Sequence, residues 1–563
     1  MCEALKKWKG KEAIVEILAK FGVRYVFGNP GTTEIPFLDA LAERDDLQYI
    51  LCLHDAIAVG MAHGFAAASE RPALANLHAA PGVANAMGSI YNAFRAGVPL
   101  VITAGQSDQK LQALEPPLWA DIATLVRPFV KWSWEARTAQ ELPLVMARAL
   151  KVATDTPQGP VFLSLPMNLL DEEIAGEIPI PRISLAYASP GPGSLDEAAQ
   201  VLAQAERPLI VAGDGVAKAH AVRSLVRLAE TIAAKVYAER MPHRIAFPTG
   251  HPLYFGPIGF QEMEIQANLA DADVILLAGT NRIIPVVYQG SPLIPPGAKV
   301  IQVDADPWEA GKNVPGGIVI VANVRATLEI LTHKVEQKLA GKKELIMHRR
   351  SALETMAIHR KKALEEEVEQ AWDNVPISIS RLVRELRHAL PGDAIIVDES
   401  STSSLGLHRY FEFPHENTYF GIKGGSLGYG LPAALGIKLA RPQQPVVAFI
   451  GDGAALYLPQ ALWTAAHYGI AVIILICNNF GYRILREGFR NYNGAASRND
   501  KFIGCTILEP MVDFIHLAQA FGVKARTITN PEDLKISLAE AVHAHHPFLL
   551  NVLIEHDEVG RLF

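Results

Sequence analysis

Short apolar runs alternate with helix-like amphipathic segments along the chain. The runs predicted to be buried strands are RYVFG (24–28), PALANLH (72–78), PLVITAG (99–105), PLIVAG (208–213), DVILLAG (273–279), KVIQVD (299–304), AIIVDES (394–400), PVVAFIGDG (445–453), AVIILICNN (471–479) and PFLLNVLI (547–554). Unbroken apolar strands of this length are typical of parallel sheets covered on both faces by helices. The pattern therefore predicts an α/β fold with three doubly wound parallel-sheet domains.

Shifts in composition suggest where these domains begin and end. We expect domains at residues 1–180, 190–340 and 374–563. The Pro/Gly/Ser-rich stretch ASPGPGSLDE (188–197) predicts a linker between the first two. The highly charged stretch 342–372 predicts a solvated helix that leads to the third. The start, MCEALKKWKGKEAIVEIL, is typical of an amphipathic helix and not of a signal peptide.

Composition and charge narrow the possible functions. The chain has 563 residues, a net charge of -7 and a pI near 6.2, which give no electrostatic reason to expect binding to nucleic acid or to a membrane surface. No apolar run approaches the roughly 20 residues that a membrane span needs. The four cysteines are scattered and form no CxxC motif. We therefore expect a cytoplasmic protein without nucleic-acid or membrane partners.

Polar residues end two successive apolar runs of the third domain. Asp452 and Asn479 each come directly after such a run, where ligands bind in open α/β sheets. Their oxygens suit magnesium, and the small residues Gly453 and Ala454 would let a diphosphate approach the backbone. A second Gly-Asp-Gly surrounds Asp214, but no Asn-Asn follows it at the same interval, and we interpret that copy as a turn.

The Gly-Asp-Gly and Asn-Asn pair resembles the diphosphate and magnesium motif of the thiamine diphosphate-dependent enzymes. The resemblance covers nearly the whole chain, through VFGNPGTTEIPFLDAL, ANLHAAPGVANAMGSIYNAF, VDESSTSS, GGSLGYGLPAALG and ALWTAAHYGI. These stretches are similar to the decarboxylase branch, in particular to benzoylformate decarboxylases. The resemblance implies a pyrimidine-binding, a middle and a diphosphate-binding domain. It also implies a cofactor held between two subunits, so that a homodimer is the minimum active unit and a homotetramer is usual.

The resemblance assigns cofactor roles to individual residues. Asp452 and Asn479 become Mg²⁺ ligands through side-chain oxygens, and Gly481 through its carbonyl. Leu427 matches the residue that props the cofactor into a bent conformation, and Gly425 matches one whose carbonyl accepts a hydrogen bond from the 4′-amino group. The other implied cofactor-binding residues are Asn29, Pro30, Gly31, Asn85, Ser401, Thr402, Gly453, Ala454 and Tyr482.

Residues of the first domain are implied in catalysis. Asp55 aligns with the glutamate that activates the cofactor but is one methylene shorter; the alternative is that Asp55 only caps a helix. His78 matches a histidine placed over the substrate, and Thr32 replaces a serine that meets the substrate carboxylate. A second catalytic histidine, expected in the middle domain, is replaced by Val287. The arginines of the loop after Asn479 could meet an anionic substrate or lie on a solvated loop: Arg483, Arg486 and Arg490.

These residues predict the non-oxidative decarboxylation of an aromatic or branched 2-keto acid to an aldehyde, with carboligation as a side activity. The alternatives are a carboligase or aldehyde lyase, or an acetolactate synthase-like enzyme, which joins the cofactor-bound intermediate to an aldehyde or keto acid. A NAD-dependent oxidoreductase is disfavoured, because no G-x-G-x-x-G turn occurs in a strand-to-helix context. A cofactor-binding protein with little catalysis stays open because of Asp55 and Val287.

Overall fold

The structure is a computed structural model that describes residues 7–176, 178, 188–280, 283–285, 290–314 and 316–556. These residues form two compact units. The first contains the described residues of Met1–Leu185, Ile396–Thr402 and Ile422–Phe563, and the second those of Ala186–Ile395 and Ser403–Gly421. In the described ranges, no helix is both long enough and apolar enough to cross a membrane.

The first six-stranded sheet is parallel and has the strand order Gln48–Leu51, Tyr25–Gly28, Ala73–Leu77, Leu100–Gln106, Val161–Pro166 and Trp132–Glu135. Its α-helices are Gly10–Lys20, Ile35–Leu41, Asp55–Ser69, Ala79–Ala96, Gln109–Gln112, Ile122–Leu125, Leu142–Thr154 and Met167–Asp171. Short 3₁₀ turns occur at Thr32–Glu34, Arg127–Phe129 and Ala139–Glu141. A small antiparallel pair, Lys7–Lys9 with Glu173–Ala175, joins the two ends of this region.

The middle sheet is also six-stranded and parallel, in the order Tyr254–Pro257, Lys235–Ala238, Pro208–Ala212, Val274–Ala278, Lys299–Asp304 and Ile318–Val321. The α-helices of this unit are Pro192–Gln204, Asp214–Lys218, Val222–Ile232, Glu262–Leu269, Val324–Lys338, Lys343–Gln370 and Ile379–Ala389. Asp304, at the end of its strand, is buried, and this burial raises the pKa of its carboxyl to about 6.

The third sheet has the order Tyr419–Gly421, Ile395–Glu399, Val446–Gly451, Ile473–Asn478, Phe548–Leu553 and Lys524–Ile528. Its helices are Thr402–Tyr410, Gly430–Ala440, Asp452–Ala455, Ala461–His467, Arg483–Tyr492, Ala495–Arg498, Phe514–Ala520 and Asp533–His543. The three parallel sheets confirm the predicted fold class, and each predicted strand is present. The central strands are buried along almost their whole length, as helices on both faces require.

The ends of some helices and strands differ from the prediction where the local sequence is ambiguous. The first helix begins only at Gly10, because Lys7–Lys9 pair as a strand with a distant segment. The expected linker 188–197 is shorter, since a helix begins at Pro192, whose fixed φ suits the first helical turn. The charged stretch 342–372 does form the predicted helix, Lys343–Gln370, on which few residues are buried. Edge strands such as Lys524–Ile528 were missed because they are half-exposed.

Two helices of the first unit cross at close range. Gly60 and Gly64 of helix Asp55–Ser69 lie against Pro432 and Ala433 of helix Gly430–Ala440, and an added Cβ at Gly64 would lie 2.1 Å from the Ala433 carbonyl oxygen. Both helices are buried on almost every face. The helix that begins with Asp55 is therefore fixed in position by backbone contact, which leaves little freedom for the side chains at its first turn.

Candidate functional site

The ends of two adjacent parallel strands bring the metal-ligand candidates together. In the third sheet Gly451 lies opposite Cys477, so the residues that follow both strands meet at one edge. Oδ1 of Asp452 accepts the N–H of Gly453 at 2.8 Å, and Oδ2 accepts the N–H of Gly481 at 2.9 Å. The sequence pattern thus places one carboxylate against the loop that carries Asn479.

The geometry of this edge fits a cation and a diphosphate. Asp452 is 3% exposed, and burial raises the pKa of its carboxyl to about 6, an effect that a cation beside it would oppose. Among the atoms that the structure describes, Oδ1 of Asn479 is buried without a hydrogen-bond partner. An added Cβ at Gly453 would lie 2.4 Å from the Tyr482 ring, and Ala454 is buried beside it. Hard oxygen donors next to small residues are what a magnesium diphosphate needs.

The second Gly-Asp-Gly provides an internal comparison. Oδ1 of Asp214 accepts the backbone N–H groups of His243 at 2.8 Å and of Arg244 at 3.0 Å. Asp214 therefore ties its own turn to a segment of the second unit about 30 residues further along the chain. This arrangement agrees with the interpretation of that copy as a structural turn.

The other cofactor-binding candidates of the third domain lie on two loops. Ser401 has φ 51°, is exposed, and comes directly before Thr402, the first residue of a helix. Gly425 is exposed with φ 85°, and Leu427 is half-buried two residues later. The loops that carry these residues follow the strand Ile395–Glu399 and precede the helix Gly430–Ala440.

His78 is held by a carboxylate that the sequence analysis missed. It directly follows strand Ala73–Leu77 and is the N-cap residue of helix Ala79–Ala96. Its Nδ1 lies 2.8 Å from Oε2 of Glu34, which is 1% exposed. The tautomer with its hydrogen on Nδ1 can donate to this carboxylate oxygen, which leaves Nε2 for other partners. Glu34 thus orients the imidazole as a proton-transfer group needs.

Both carboxylate oxygens of Glu34 have hydrogen-bond partners. Oε2 also accepts the Gly31 N–H at 2.8 Å, and Oε1 accepts the Thr33 hydroxyl and the Gly105 N–H, both at 2.8 Å. An added Cβ at Gly31 would lie 2.1 Å from His78 Nδ1, so only glycine allows this approach. The signal available in the sequence was the acidic residue directly after the GNPGTT turn, which looks like an ordinary first-turn residue of the next helix.

The carboxylate of Asp55 contacts the segment around His78 and does not cap its own helix. The N-cap is His54, whose Nδ1 accepts the Ala56 N–H. Oδ1 of Asp55 accepts the backbone N–H of His78 at 3.2 Å, and Oδ2 accepts Nδ2 of Asn29 at 3.3 Å. Both bonds are long, and each oxygen retains acceptor capacity. The alternative of a simple helix cap is therefore not supported, and the carboxylate is suited to receive a further N–H donor.

The remaining first-domain candidates lie on the elements that carry this cluster. Asn29, Pro30 and Gly31 form the turn after strand Tyr25–Gly28. Thr32 is exposed at the start of the 3₁₀ turn, and Asn85 is exposed on the helix that His78 caps. The exposure of both side chains leaves them accessible to a ligand.

The arginines after Asn479 have structural contacts. Nη2 of Arg486 donates to the Thr506 hydroxyl at 2.8 Å, and its guanidinium lies over the Phe502 ring. Arg490 covers the same ring, and Nη1 of Arg483 donates to the Glu555 carbonyl at 3.2 Å. These contacts hold helix Arg483–Tyr492 against segment 502–506 and favour a structural role over the substrate contact considered above. Val287 lies outside the described residues.

Family models match three parts of the chain. Residues 8–124 match the N-terminal TPP binding domain of the thiamine pyrophosphate enzymes, residues 195–331 their central domain, and residues 400–552 their C-terminal TPP binding domain. The chain therefore belongs to the thiamine pyrophosphate (thiamine diphosphate) enzyme family. Its site clusters lie within or beside the two cofactor-binding domains.

Individual relatives agree over nearly full length. Benzoylformate decarboxylase of Pseudomonas aeruginosa is 34% identical over 96% of this chain and 98% of its own. A probable acetolactate synthase large subunit of Methanocaldococcus jannaschii is 31% identical, over 97% and 92% respectively. The solved structure of a thiamine diphosphate-dependent 4-hydroxybenzoylformate decarboxylase from Rhodococcus jostii superposes with a TM-score of 0.85 at 31% identity, covering 98% of this chain and all of that one. The chain is thus similar both to decarboxylases and to synthases.

We predict that Asp452→Asn loses metal and cofactor binding while the protein stays folded. Removing one carboxylate contact to a cation costs more than about 1.4 kcal/mol, which lowers the affinity at least about tenfold. Isothermal titration with Mg²⁺ and thiamine diphosphate measures the loss. Asp214→Asn is the matched control, since it alters the other Gly-Asp-Gly and should leave the affinity unchanged. Equal affinities for the parent and Asp452→Asn would refute the metal assignment.

We predict that Glu34 acts through His78. His78→Ala should slow turnover by about 10²–10⁴-fold without weakening cofactor binding, the usual contribution of a general acid or base. Glu34→Gln should also slow turnover, and the double variant should be no slower than His78→Ala alone. Steady-state kinetics on all three variants checks this. Effects that multiply would show that Glu34 has a separate role, and a change of less than a few-fold in His78→Ala would return His78 to a structural role.

We predict that the charge of Asp55 is needed to activate the cofactor. Asp55→Asn keeps the acceptor for the His78 N–H but removes the carboxylate, whereas Asp55→Ala removes both. If the carboxylate activates, both variants should slow hydrogen–deuterium exchange at cofactor C2, measured by NMR after acid quench, by about 10²-fold or more. If Asp55→Asn exchanges as fast as the parent, Asp55 only supports the turn around His78.

Proposed function

We propose that the protein is a thiamine diphosphate- and magnesium-dependent lyase that decarboxylates an aromatic or branched 2-keto acid to an aldehyde, with carboligation as a side activity. The observation that carries this proposal is the cluster of Glu34, His78 and Asp55 on the pyrimidine-binding domain. It combines an oriented imidazole with a buried carboxylate, the two groups that proton transfers around a keto acid require. The likeness to benzoylformate and 4-hydroxybenzoylformate decarboxylases supports the substrate class.

Each cluster has a defined task in this proposal. The bound cofactor would supply the thiazolium carbon that attacks the keto group and accepts electrons. Asp452 and Asn479 would hold Mg²⁺ through their oxygens, with the Gly481 carbonyl as a third protein ligand. Asp55 would hydrogen-bond to the aminopyrimidine as the activating acid and favour its imino form, and Nε2 of His78 would exchange protons with the substrate. The exposed hydroxyl of Thr32 is available for the substrate carboxylate.

Acetolactate synthase-like carboligation is the alternative, and the synthase relatives keep it open. One observation weighs against a flavin-containing version of it. At the switch point of the middle sheet, Glu239 accepts the Asp214 N–H at 2.9 Å and the Thr280 hydroxyl at 2.6 Å. An added Cβ at Gly213 would lie 2.4 Å from Thr280. Protein groups thus occupy part of the described edge at which doubly wound sheets bind dinucleotides.

The proposal includes assembly into at least a homodimer, with a homotetramer as the expected form. Hydrogen bonds within one chain hold each site cluster separately, and the family resemblance places the cofactor between subunits. A segment of the first unit supports an association with another chain, because it exposes Leu111, Leu114 and Leu118, of which Leu114 is 75% exposed.

A keto-acid panel tests the proposed function. We expect benzoylformate or a branched 2-keto acid to yield the aldehyde and CO₂ in the presence of thiamine diphosphate and Mg²⁺, with turnover well above that of pyruvate. Product analysis with and without added benzaldehyde separates decarboxylation from carboligation. Formation of acetolactate from pyruvate as the main product would overturn the decarboxylase proposal in favour of the alternative. Binding of the cofactor without turnover of any keto acid would contradict both.

A further inference from the structure

The loop that carries Leu427 is built from residues that cannot stiffen it. Residues 424–430 read GGSLGYG, and Gly425 and Gly428 have φ values of 85° and 96°, a region that other residues rarely adopt. Glycines allow this path but also widen the range of alternatives. Leu427 stands between them and is half-buried. A fixed position for its side chain therefore requires contacts from outside the loop.

Glu399 holds the C-terminal side of this loop. The residue is 3% exposed at the end of strand Ile395–Glu399. Oε1 accepts the N–H groups of Gly428 at 2.7 Å and Tyr429 at 3.1 Å, and Oε2 accepts the N–H of Gly430 at 2.6 Å. Gly430 begins an eleven-residue helix, so the carboxylate also faces the positive end of the helix dipole. Burial raises the pKa of Glu399 to about 7, while the three amides act in the opposite direction and favour the carboxylate.

Asn92 holds the other side. It lies on helix Ala79–Ala96 and is buried. Its Nδ2 donates to the Ser426 carbonyl at 2.7 Å, and its Oδ1 accepts the Ser426 N–H at 3.1 Å. A buried side-chain amide paired in both directions with one residue's backbone acts like a strand partner and fixes that residue's position and orientation.

We propose that Glu399 and Asn92 are positioning residues for the cofactor. They clamp the loop on both sides of Leu427 and so fix the side chain that holds the cofactor in its bent conformation. This inference rests on the proposed role of Leu427 as the prop. Neither residue needs to touch the cofactor. Ser426 and Gly428 are the immediate neighbours of Leu427, so the clamp acts within one residue of it on each side.

The carboxylate of Glu399 suits this task better than a neutral group. It offers acceptors only, and three amide donors converge on it, whereas a glutamine would turn an NH₂ group towards at least one of them. Glu399→Gln keeps the size of the side chain and should therefore loosen the loop without creating a cavity. Asn92→Ala tests the other contact and does not change the charge.

The first measurement needs no cofactor. Hydrogen–deuterium exchange of the apo protein, followed by mass spectrometry, should show faster exchange in peptides covering 424–430, by about tenfold or more in Glu399→Gln and detectably in Asn92→Ala. Asp304→Asn is the matched control, because it neutralises another buried strand-end carboxylate that accepts a backbone N–H, from Asp306, in the other unit. It should leave exchange in 424–430 unchanged. Parent-like exchange in both clamp variants would overturn the inference.

The second measurement separates the clamp from the proposed role of Leu427. Near-ultraviolet circular dichroism of bound thiamine diphosphate reports the environment of its aminopyrimidine, and Leu427→Ala should change this signal. If Glu399→Gln and Asn92→Ala change it in the same direction while the cofactor stays bound, the clamp positions Leu427. A changed signal in Leu427→Ala with parent-like signals in both clamp variants refutes the clamp alone. A parent-like signal in Leu427→Ala refutes the proposed prop, and with it the inference.

Discussion

Buried carboxylates that accept backbone N–H groups are the interaction on which both halves of the candidate site depend. Glu34 accepts from Gly31 and Gly105, and Asp55 accepts from His78. Glu399 accepts from Gly428, Tyr429 and Gly430, and Asp452 accepts from Gly453 and Gly481. Removing a carboxylate from water is costly, so such a group persists only where donors are already in place. Since backbone donors are fixed by the fold, each carboxylate in turn fixes the loop around it.

Two of these buried carboxylates contact the same residue, His78. Asp55 accepts the backbone N–H of His78, and Glu34 contacts its ring. Helix Ala79–Ala96 begins directly after it. The same helix carries Asn92, which holds the loop of Leu427. His78 and the loop of Leu427 are therefore held by a single helix. A displacement of this helix would affect both.

The relatives are compatible with a wider range of functions than the candidate site is. Similarity extends to decarboxylases and to acetolactate synthases at comparable identity, so sequence likeness alone gives the family and its cofactor. The structure adds the imidazole–carboxylate pair of His78 and Glu34, on which the decarboxylase proposal rests. At position 55 the family resemblance leads one to expect glutamate, and this chain has aspartate. The chain accommodates it by joining the shorter side chain to Asn29 and to the backbone of His78.

The sequence by itself determined the central strands, the fold class and the meeting of Asp452 with the Asn479 loop, because unbroken apolar runs specify buried parallel strands whose ends share one edge. Only the tertiary structure decided the half-exposed edge strands, the pairing of Lys7–Lys9 and the partners of Glu34, Asp55 and Glu399. An acidic residue beside a turn has the same local pattern whether it is solvated or buried. Its role depends on donors that are remote in sequence, such as the N–H of Gly105 for Glu34, and folding alone brings these within hydrogen-bond distance.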